Sequence, residues 1–283
     1  MLLAILAIGT FATSCSNDDD NATTNANLTL DLNGLETLGS DYVYEGWMIV
    51  NGAPISTGTF SSVTFPQTFS VNADQLSSAT RFVLSIEPAN DLDPAPTDTK
   101  LLVGDFSGNS ANVNTDVVGD FSTAAGAFFL RTPTDETGTN NGNDENGVWF
   151  GTPGAPPTPN FVLPTLPVGW AYEGWVVGDS GPITTGTFNA FNTADVFDDF
   201  SETSQAGPPV PGEDFFLNAP TGETFPLDVR GRTVVISVEP VPDNSPAPFA
   251  IKPLVGTAGQ DTAPATYNFG QNLASLPWGE VTR

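Results

Sequence analysis

The sequence Tyr-Glu-Gly-Trp at 172–175 is followed at 181–188 by Gly-Pro-Ile-Thr-Thr-Gly-Thr-Phe. The same pattern occurs earlier, with Tyr-Glu-Gly-Trp at 44–47 and Gly-Ala-Pro-Ile-Ser-Thr-Gly-Thr-Phe at 52–60. The two occurrences lie 128 positions apart, the difference between 172 and 44. Each begins with a strand-like run and continues through a turn into a second strand-like run, which predicts a β-hairpin. The chain is therefore predicted to contain two related β-units.

A second block repeats as Ser-Ile-Glu-Pro at 85–88 and Ser-Val-Glu-Pro at 237–240, with an offset of 152 (237 minus 85). The second copy thus holds 24 extra residues (152 minus 128), which we assign to an acidic, proline-rich insertion at 192–222. The repeated positions predicted to build the core of both copies are Trp47, Trp175, Gly58 and Gly186.

Short β-branched and aromatic runs alternate with clusters of Gly, Pro, Asn and Asp through all 283 residues, a pattern typical of all-β proteins. We predict two tandem, mostly antiparallel β-sandwich repeats of immunoglobulin-like type. The second copy lacks a counterpart of 126–150, so either it is shorter or those strands cross over between the copies. The predicted organisation is a signal peptide at 1–15, a disordered acidic tether at 16–26, repeat 1 at 27–153, a linker at 154–160 and repeat 2 at 161–283.

The chain carries 33 acidic and 7 basic residues, for a net charge of −26. This charge excludes nucleic acid as a partner, because phosphates would be repelled. The sequence has no histidine and one cysteine, which excludes Ser-His-Asp and Cys-His catalysis, zinc sites and an internal disulfide. We expect no cofactor; if a metal binds, it is Ca²⁺, because oxygen ligands are plentiful, and weak candidates are Asp195, Asp198, Asp199 and Glu202.

The N-terminus resembles a bacterial lipoprotein signal. A short apolar run ends in Ala-Thr-Ser before Cys15, the predicted site of lipidation, and three aspartates follow at 18–20. An acidic run in this place resembles the surface-export signal of Bacteroidetes lipoproteins. The resemblance implies an outer-membrane or cell-surface protein that contacts membrane lipid through Cys15. Cleavage of an ordinary signal peptide with a leftover cysteine is the alternative.

The chain has two lysines, Lys100 and Lys252, and each follows its own repeat glutamate, Glu87 or Glu239, by 13 positions. A hairpin through the intervening proline loop would bring each glutamate opposite its lysine. We therefore predict two cross-strand ion pairs, Glu87–Lys100 and Glu239–Lys252.

The repeated Tyr-Glu-Gly-Trp, Gly-Pro-Ile-Thr-Thr-Gly and Val-Glu-Pro motifs, over about 44–104 and 172–256, resemble the extracytoplasmic domain of anti-sigma-K factors. The resemblance implies a β-sandwich sensor or interaction module without catalytic residues. We see no cytoplasmic sigma-binding domain and no transmembrane helix in the sequence, so the module is expected to be non-enzymatic and to bind an unknown envelope protein or glycan.

Two other functions remain open on sequence alone. Exposed tryptophans could stack on sugars, with Trp149 and Trp170 as the candidate contacts of a carbohydrate-binding or adhesion protein. A glycosidase could use paired carboxylates such as Glu45 and Glu173, although structural glutamates in a repeat explain the same residues more simply.

Overall fold

The computed structural model describes residues 24–136 and 142–283. Within these ranges lie 17 strands, one α-helix and three short 3-10 helices. The strands are β1 (Asn25–Asn33), β2 (Tyr42–Val50), β3 (Ala53–Phe60), β4 (Gln67–Asn72), β5 (Arg81–Pro88), β6 (Lys100–Asp105), β7 (Ser110–Val113), β8 (Ala127–Leu130), β9 (Gly147–Phe150), β10 (Trp170–Val177), β11 (Pro182–Phe188), β12 (Gly212–Asp214), β13 (Thr233–Pro240), β14 (Ile251–Thr257), β15 (Tyr267–Asn268), β16 (Gly270–Gln271) and β17 (Trp278–Thr282). The helix α1 spans Ala73–Ser78, and the 3-10 helices span Thr115–Val117, Asp144–Asn146 and Leu273–Ser275.

The strands of the described ranges form four sheets, and every pairing between them is antiparallel. The sheet orders are β3-β2-β5-β6, β4-β1-β17-β7, β11-β10-β13-β14-β16 and β12-β9-β8-β15. Aromatic contacts join the sheets face to face. Phe60 of β3 packs on Phe69 of β4, with ring centroids 5.7 Å apart, and Phe150 of β9 packs on Phe188 of β11, with ring centroids 5.9 Å apart. The predicted all-β, sandwich-type fold is confirmed.

The repeated hairpins have the same register. Gly46 lies opposite Gly58 in the β2–β3 pair, and Gly174 lies opposite Gly186 in the β10–β11 pair. A bulge follows each glycine pair, so that one extra residue is accommodated on the second strand. Gly58 and Gly186 have φ values of 113° and 100°, which side chains rarely adopt. The two hairpins that share a sequence motif therefore share the same local backbone geometry as well.

The central strands β5 and β13 are almost wholly buried, as their continuous apolar runs predict. One apolar core extends from Leu28 and Phe82 in the first half to Phe150 and Ile236 in the second. The chain turns between β2 and β3 at Asn51 and Gly52, both with positive φ, which is the hairpin geometry that this dipeptide favours.

Strands that lie on opposite sides of the predicted linker at 154–160 in the sequence pair with each other. β8 and β9 precede the linker, yet they pair with β15 and β12 in the second half. β17 is the last strand of the chain, yet it lies between β1 and β7 in the first half. The sheets therefore do not follow the expected bounds 27–153 and 161–283, and crossing over is the arrangement found for 126–150. Because inner strands need a partner on each side, each half depends on a strand from the other side of the linker.

The insertion at 192–222 packs into the second half. Phe200 is buried, and the segment contributes β12, whose residues Glu213 and Asp214 are completely buried. The insertion thus contributes the edge strand of a sheet in addition to an acidic surface loop.

The last residues of the predicted tether are ordered as strand, because Asn25 and Ala26 pair with Asn72 and Val71. The signal peptide, most of the tether and Cys15 lie outside the described residues. No helix within 24–136 and 142–283 is long and apolar enough to cross a membrane.

Candidate functional site

A chain of hydrogen bonds repeats in the strand pairs β2–β5 and β10–β13. The indole Nε1 of Trp47 donates to the Ser85 hydroxyl at 2.8 Å, and that hydroxyl donates to the Glu87 carboxylate. In the second half, Trp175 donates to Ser237 at 2.7 Å, and Ser237 donates to the carboxylate of the second repeat glutamate. Each tryptophan is 2% exposed. These tryptophans therefore have buried polar partners and are not platforms for a ligand.

The repeat glutamates close their own proline loops. Glu87 accepts the backbone N–H of Thr97 at 3.0 Å, and Glu239 accepts that of Phe249 at 2.9 Å. Both glutamates are completely buried. Burial raises the pKa of Glu239 to about 8, against the opposing effect of its hydrogen bonds, and raises the pKa of Glu87 as well. The carboxylates thus organise the loops that follow β5 and β13.

The predicted pair between Glu87 and Lys100 is not formed. A bulge after Leu84 places Lys100 opposite Ser85, and the Lys100 ammonium donates to the carbonyl of Thr97 at 2.7 Å. The carboxylate is already used by Ser85 and Thr97, so the lysine binds the loop backbone instead.

The predicted ion pair between Glu239 and Lys252 is not formed either. Within the described ranges, no carboxylate oxygen lies within 4.0 Å of the Lys252 ammonium. Burial lowers the pKa of Lys252, while the fields of Glu36 and Glu239 raise it. Lys252 thus acts at longer range, and one of its two acidic neighbours comes from the first half.

Three carboxylates converge on the second half. Oxygens of Glu173, Glu239 and Asp243 lie within 4.8 Å of one another, close enough to share a cation. Glu173 is buried on β10, and burial raises its pKa to about 7. The Thr184 hydroxyl donates to Glu173, as Ser56 does to Glu45 in the first half. Proximity of like charges also raises the pKa of Glu239.

The weak calcium candidates lie elsewhere, in the insertion. Asp195 accepts the backbone N–H groups of Phe197 at 3.0 Å and Gly212 at 3.1 Å, so it holds the loop against β12. Neither Asp195 nor its acidic neighbours at 198, 199 and 202 belong to the three-carboxylate group.

A second buried acidic group, which sequence reasoning missed, surrounds β12. Asp214 accepts from Thr134 at 2.6 Å and from the indole of Trp149 at 2.8 Å. Glu213 accepts the Ser201 hydroxyl through one oxygen, while its Oε2 atom is buried without a hydrogen-bond partner in the described structure. Desolvation raises the pKa of Glu213 to about 9 and that of Asp214 to about 7.

The proposed sugar-stacking residues are buried. Trp149 and Trp170 are each 3% exposed; Trp149 is held by Asp214, and Trp170 packs on Phe249 at 5.9 Å. Both therefore belong to the core, which corrects their assignment as ligand contacts. Trp278 on β17 is 56% exposed.

A cavity of about 610 Å³ opens where the two halves meet. The first half contributes the β1–β2 connection at 36–39 and residues 97–99 of the β5–β6 loop; the second contributes 240–246 of the β13–β14 loop. Equivalent positions of both repeats line it, since Pro88 corresponds to Pro240. Its apolar wall consists of four prolines together with Leu38, Tyr42, Ile86, Val241 and Phe249. This volume lies in the range of sites for small molecules.

Three acidic residues line this cavity: Glu36, Asp98 and Asp243. Burial raises the pKa of Glu36, Lys252 lowers it, and the charge of Asp243 raises it again. Glu36 and Asp243 thus act on each other across the junction between the halves. Because Asp243 also belongs to the three-carboxylate group, the cavity and that group share an edge.

Comparison with known proteins gives a match to one part of this structure. Residues 19–100 match the family described as "Anti-sigma-K factor rskA, C-terminal". This segment is similar to anti-sigma-K factors. The anti-sigma-K-factor-like segment includes β2, β5 and the first Trp–Ser–Glu arrangement, and it ends where β6 begins. No curated protein and no solved structure matches the chain.

Proposed function

We propose that this chain is a non-enzymatic envelope protein, tethered to lipid through Cys15, that binds a ligand between two duplicated anti-sigma-K-factor-like units. The observation that carries the proposal is the 610 Å³ cavity at the junction of the two halves. Binding sites are commonly formed at such junctions, where apolar walls combine with a few polar groups. The match at 19–100 supports a sensing or interaction module.

Duplication is supported by matching hydrogen bonds as well as by the repeated sequence motifs. Tyr44 donates its hydroxyl to the carbonyl of Glu36 at 2.8 Å, and Tyr172 donates to that of Pro164 at 2.6 Å. Donor and acceptor are both shifted by 128 positions. Ligand occupancy at a junction of copied units would bias how the halves sit together, which is a physical route for sensing.

Binding is tested with a variant that fills the cavity. Thr37 lines the cavity with an exposed side chain, so Thr37→Trp is expected to block it while the core stays intact. Thr123→Trp is the matched control, because Thr123 is exposed and lies away from the cavity. Libraries of short peptides, oligosaccharides and amphiphilic amines are screened by thermal shift. A compound that stabilises the wild type and the control, but not Thr37→Trp, supports binding; a hit that binds all three equally argues against the cavity.

The remaining parts of the proposal have separate tests. Membrane fractionation with lipid labelling should show Cys15→Ala in the soluble fraction without label; a labelled variant would contradict the tether. Mass spectrometry of a bound compound should show it unchanged after incubation, and turnover would contradict a non-enzymatic role.

A further inference from the structure

Charge distribution around the cavity points to the class of ligand. Of the groups lining it, Glu36, Asp98 and Asp243 are acidic, and lysine and arginine are absent from the lining. The ion pairs formed within 24–136 and 142–283 involve other carboxylates. Two of the three cavity acids, Glu36 and Asp98, make no side-chain hydrogen bond to another described residue, whereas Asp243 accepts the Ser245 backbone N–H at 2.8 Å.

Lys252 compensates only part of this negative charge. Its field acts on Glu36, but the same lysine also acts on the buried Glu239, and it does not line the cavity. Asp243 and Glu36 meanwhile repel each other, which is a cost that a bound cation would remove. The net charge of −26 adds a long-range attraction for cations.

The walls show that this cation has an apolar body. A bare metal ion would occupy a small fraction of about 610 Å³ and would leave Leu38, Tyr42 and Val241 facing water. Val241, which lines the cavity, is 53% exposed. An ammonium or guanidinium group on an aromatic or aliphatic frame satisfies the acids and covers this apolar surface together.

We propose that the cavity selects a small organic cation that carries an apolar body, which it holds between the acidic side chains of Glu36, Asp98 and Asp243. This inference rests on the proposed function, because it names the ligand class of the same cavity. The cationic head lies between acids from both halves, so binding also reduces the repulsion across their junction.

Three probes of similar shape separate charge from apolar contact: phenylbutylamine, phenylbutanol and phenylbutyrate. Their affinities are measured by titration calorimetry on the full chain. We expect the amine to bind most tightly and the carboxylate most weakly, and added salt to weaken the amine alone. Glu36→Gln and Asp98→Asn should each lower the affinity for the amine about two- to fivefold and leave the alcohol unchanged. Asp31→Asn, an exposed acid away from the cavity, is the control.

Failure of this inference can be told apart from failure of the proposed function. If alcohol and amine bind equally and both are blocked by Thr37→Trp, the cavity binds ligands but the preference for cations is refuted. If no probe binds but a library compound is blocked by Thr37→Trp, the cation preference alone is refuted. If Thr37→Trp blocks neither a probe nor a library compound, both are refuted. Calcium chloride alone is the last arm: Ca²⁺ that binds through Asp243 and displaces the amine would assign the acids to a metal instead.

Discussion

The indole of Trp175 donates its hydrogen bond to the Ser237 hydroxyl at 2.7 Å, and both residues are buried. The hydroxyl passes a second hydrogen bond to Glu239, whose carboxylate also holds the backbone of Phe249. This one serine therefore links two strands to the loop that lines the cavity.

Ser237→Ala should lower the free energy of unfolding by about 1–3 kcal/mol, because it leaves the indole N–H and one carboxylate oxygen without their partner. Urea denaturation measures the change. Ser85→Ala in the first half should cause a similar loss, while Ser77→Ala, at an exposed hydroxyl that caps a carbonyl, should cost far less. Equal effects of Ser237→Ala and Ser77→Ala would contradict a structural role for the hydrogen bonds that link Trp175, Ser237 and Glu239.

Glu213 should make the protein less stable as the pH rises. Folding raises its pKa from 4.5 to about 9, so the native state keeps a proton that the unfolded chain releases. Its contribution to the free energy of unfolding is complete below pH 4.5 and is lost as the pH rises through about 9. Glu213→Gln, which is uncharged at every pH, should flatten this slope.

Thermal unfolding of the wild type and of Glu213→Gln, measured between pH 4.5 and about 9, checks the prediction. Glu280→Gln, at an exposed site on β17, is the control and should keep the wild-type slope. A wild-type slope in Glu213→Gln would show that Glu213 is ionised in the folded protein.

Val281→Ala should lower the free energy of unfolding by about 2 kcal/mol, although the residue is third from the last in the sequence. Val281 is completely buried on β17, between β1 and β7. Hydrogen exchange should report faster opening at Leu30 and Ala111, which are its partners in the two neighbouring strands. Thr282→Ala, at the exposed next position, should leave exchange there unchanged.

Gly174→Ala should lower the free energy of unfolding by about 1–3 kcal/mol, because the new methyl group would overlap neighbours in a packed core. A Cβ at Gly174 would lie 2.2 Å from the Thr185 hydroxyl and 2.4 Å from the Phe150 ring. Gly181→Ala is the matched control, since nothing lies within 4 Å of a Cβ there, and its effect should stay within about 0.5 kcal/mol. A tolerated alanine at 174 would show that the sheets can separate locally.

Part of the candidate site was accessible from the sequence. Glu87 and Glu239 stand out because they repeat with a fixed spacing, and both organise proline loops in the structure. Their partners were predicted wrongly, because the register of β5 and β6 differs from the one that the hairpin prediction assumed. Leu84 lies opposite Leu102, and a bulge then places Lys100 opposite Ser85 rather than Glu87. The tryptophans illustrate the same limit: residue type cannot tell whether an indole such as that of Trp149 faces a ligand or a buried aspartate.

Local pattern in the sequence was enough for the all-β class, the two matching hairpins and the Asn51-Gly52 turn, because alternation and turn chemistry involve residues close together in the chain. The partners of β8, β9 and β17, the burial of Glu213 and the acidic cavity were decided only by the tertiary structure. Each of these depends on groups that lie far apart along the chain. Residues such as Glu36 and Asp243 meet because the sheets close around a shared core, and no local pattern records that meeting.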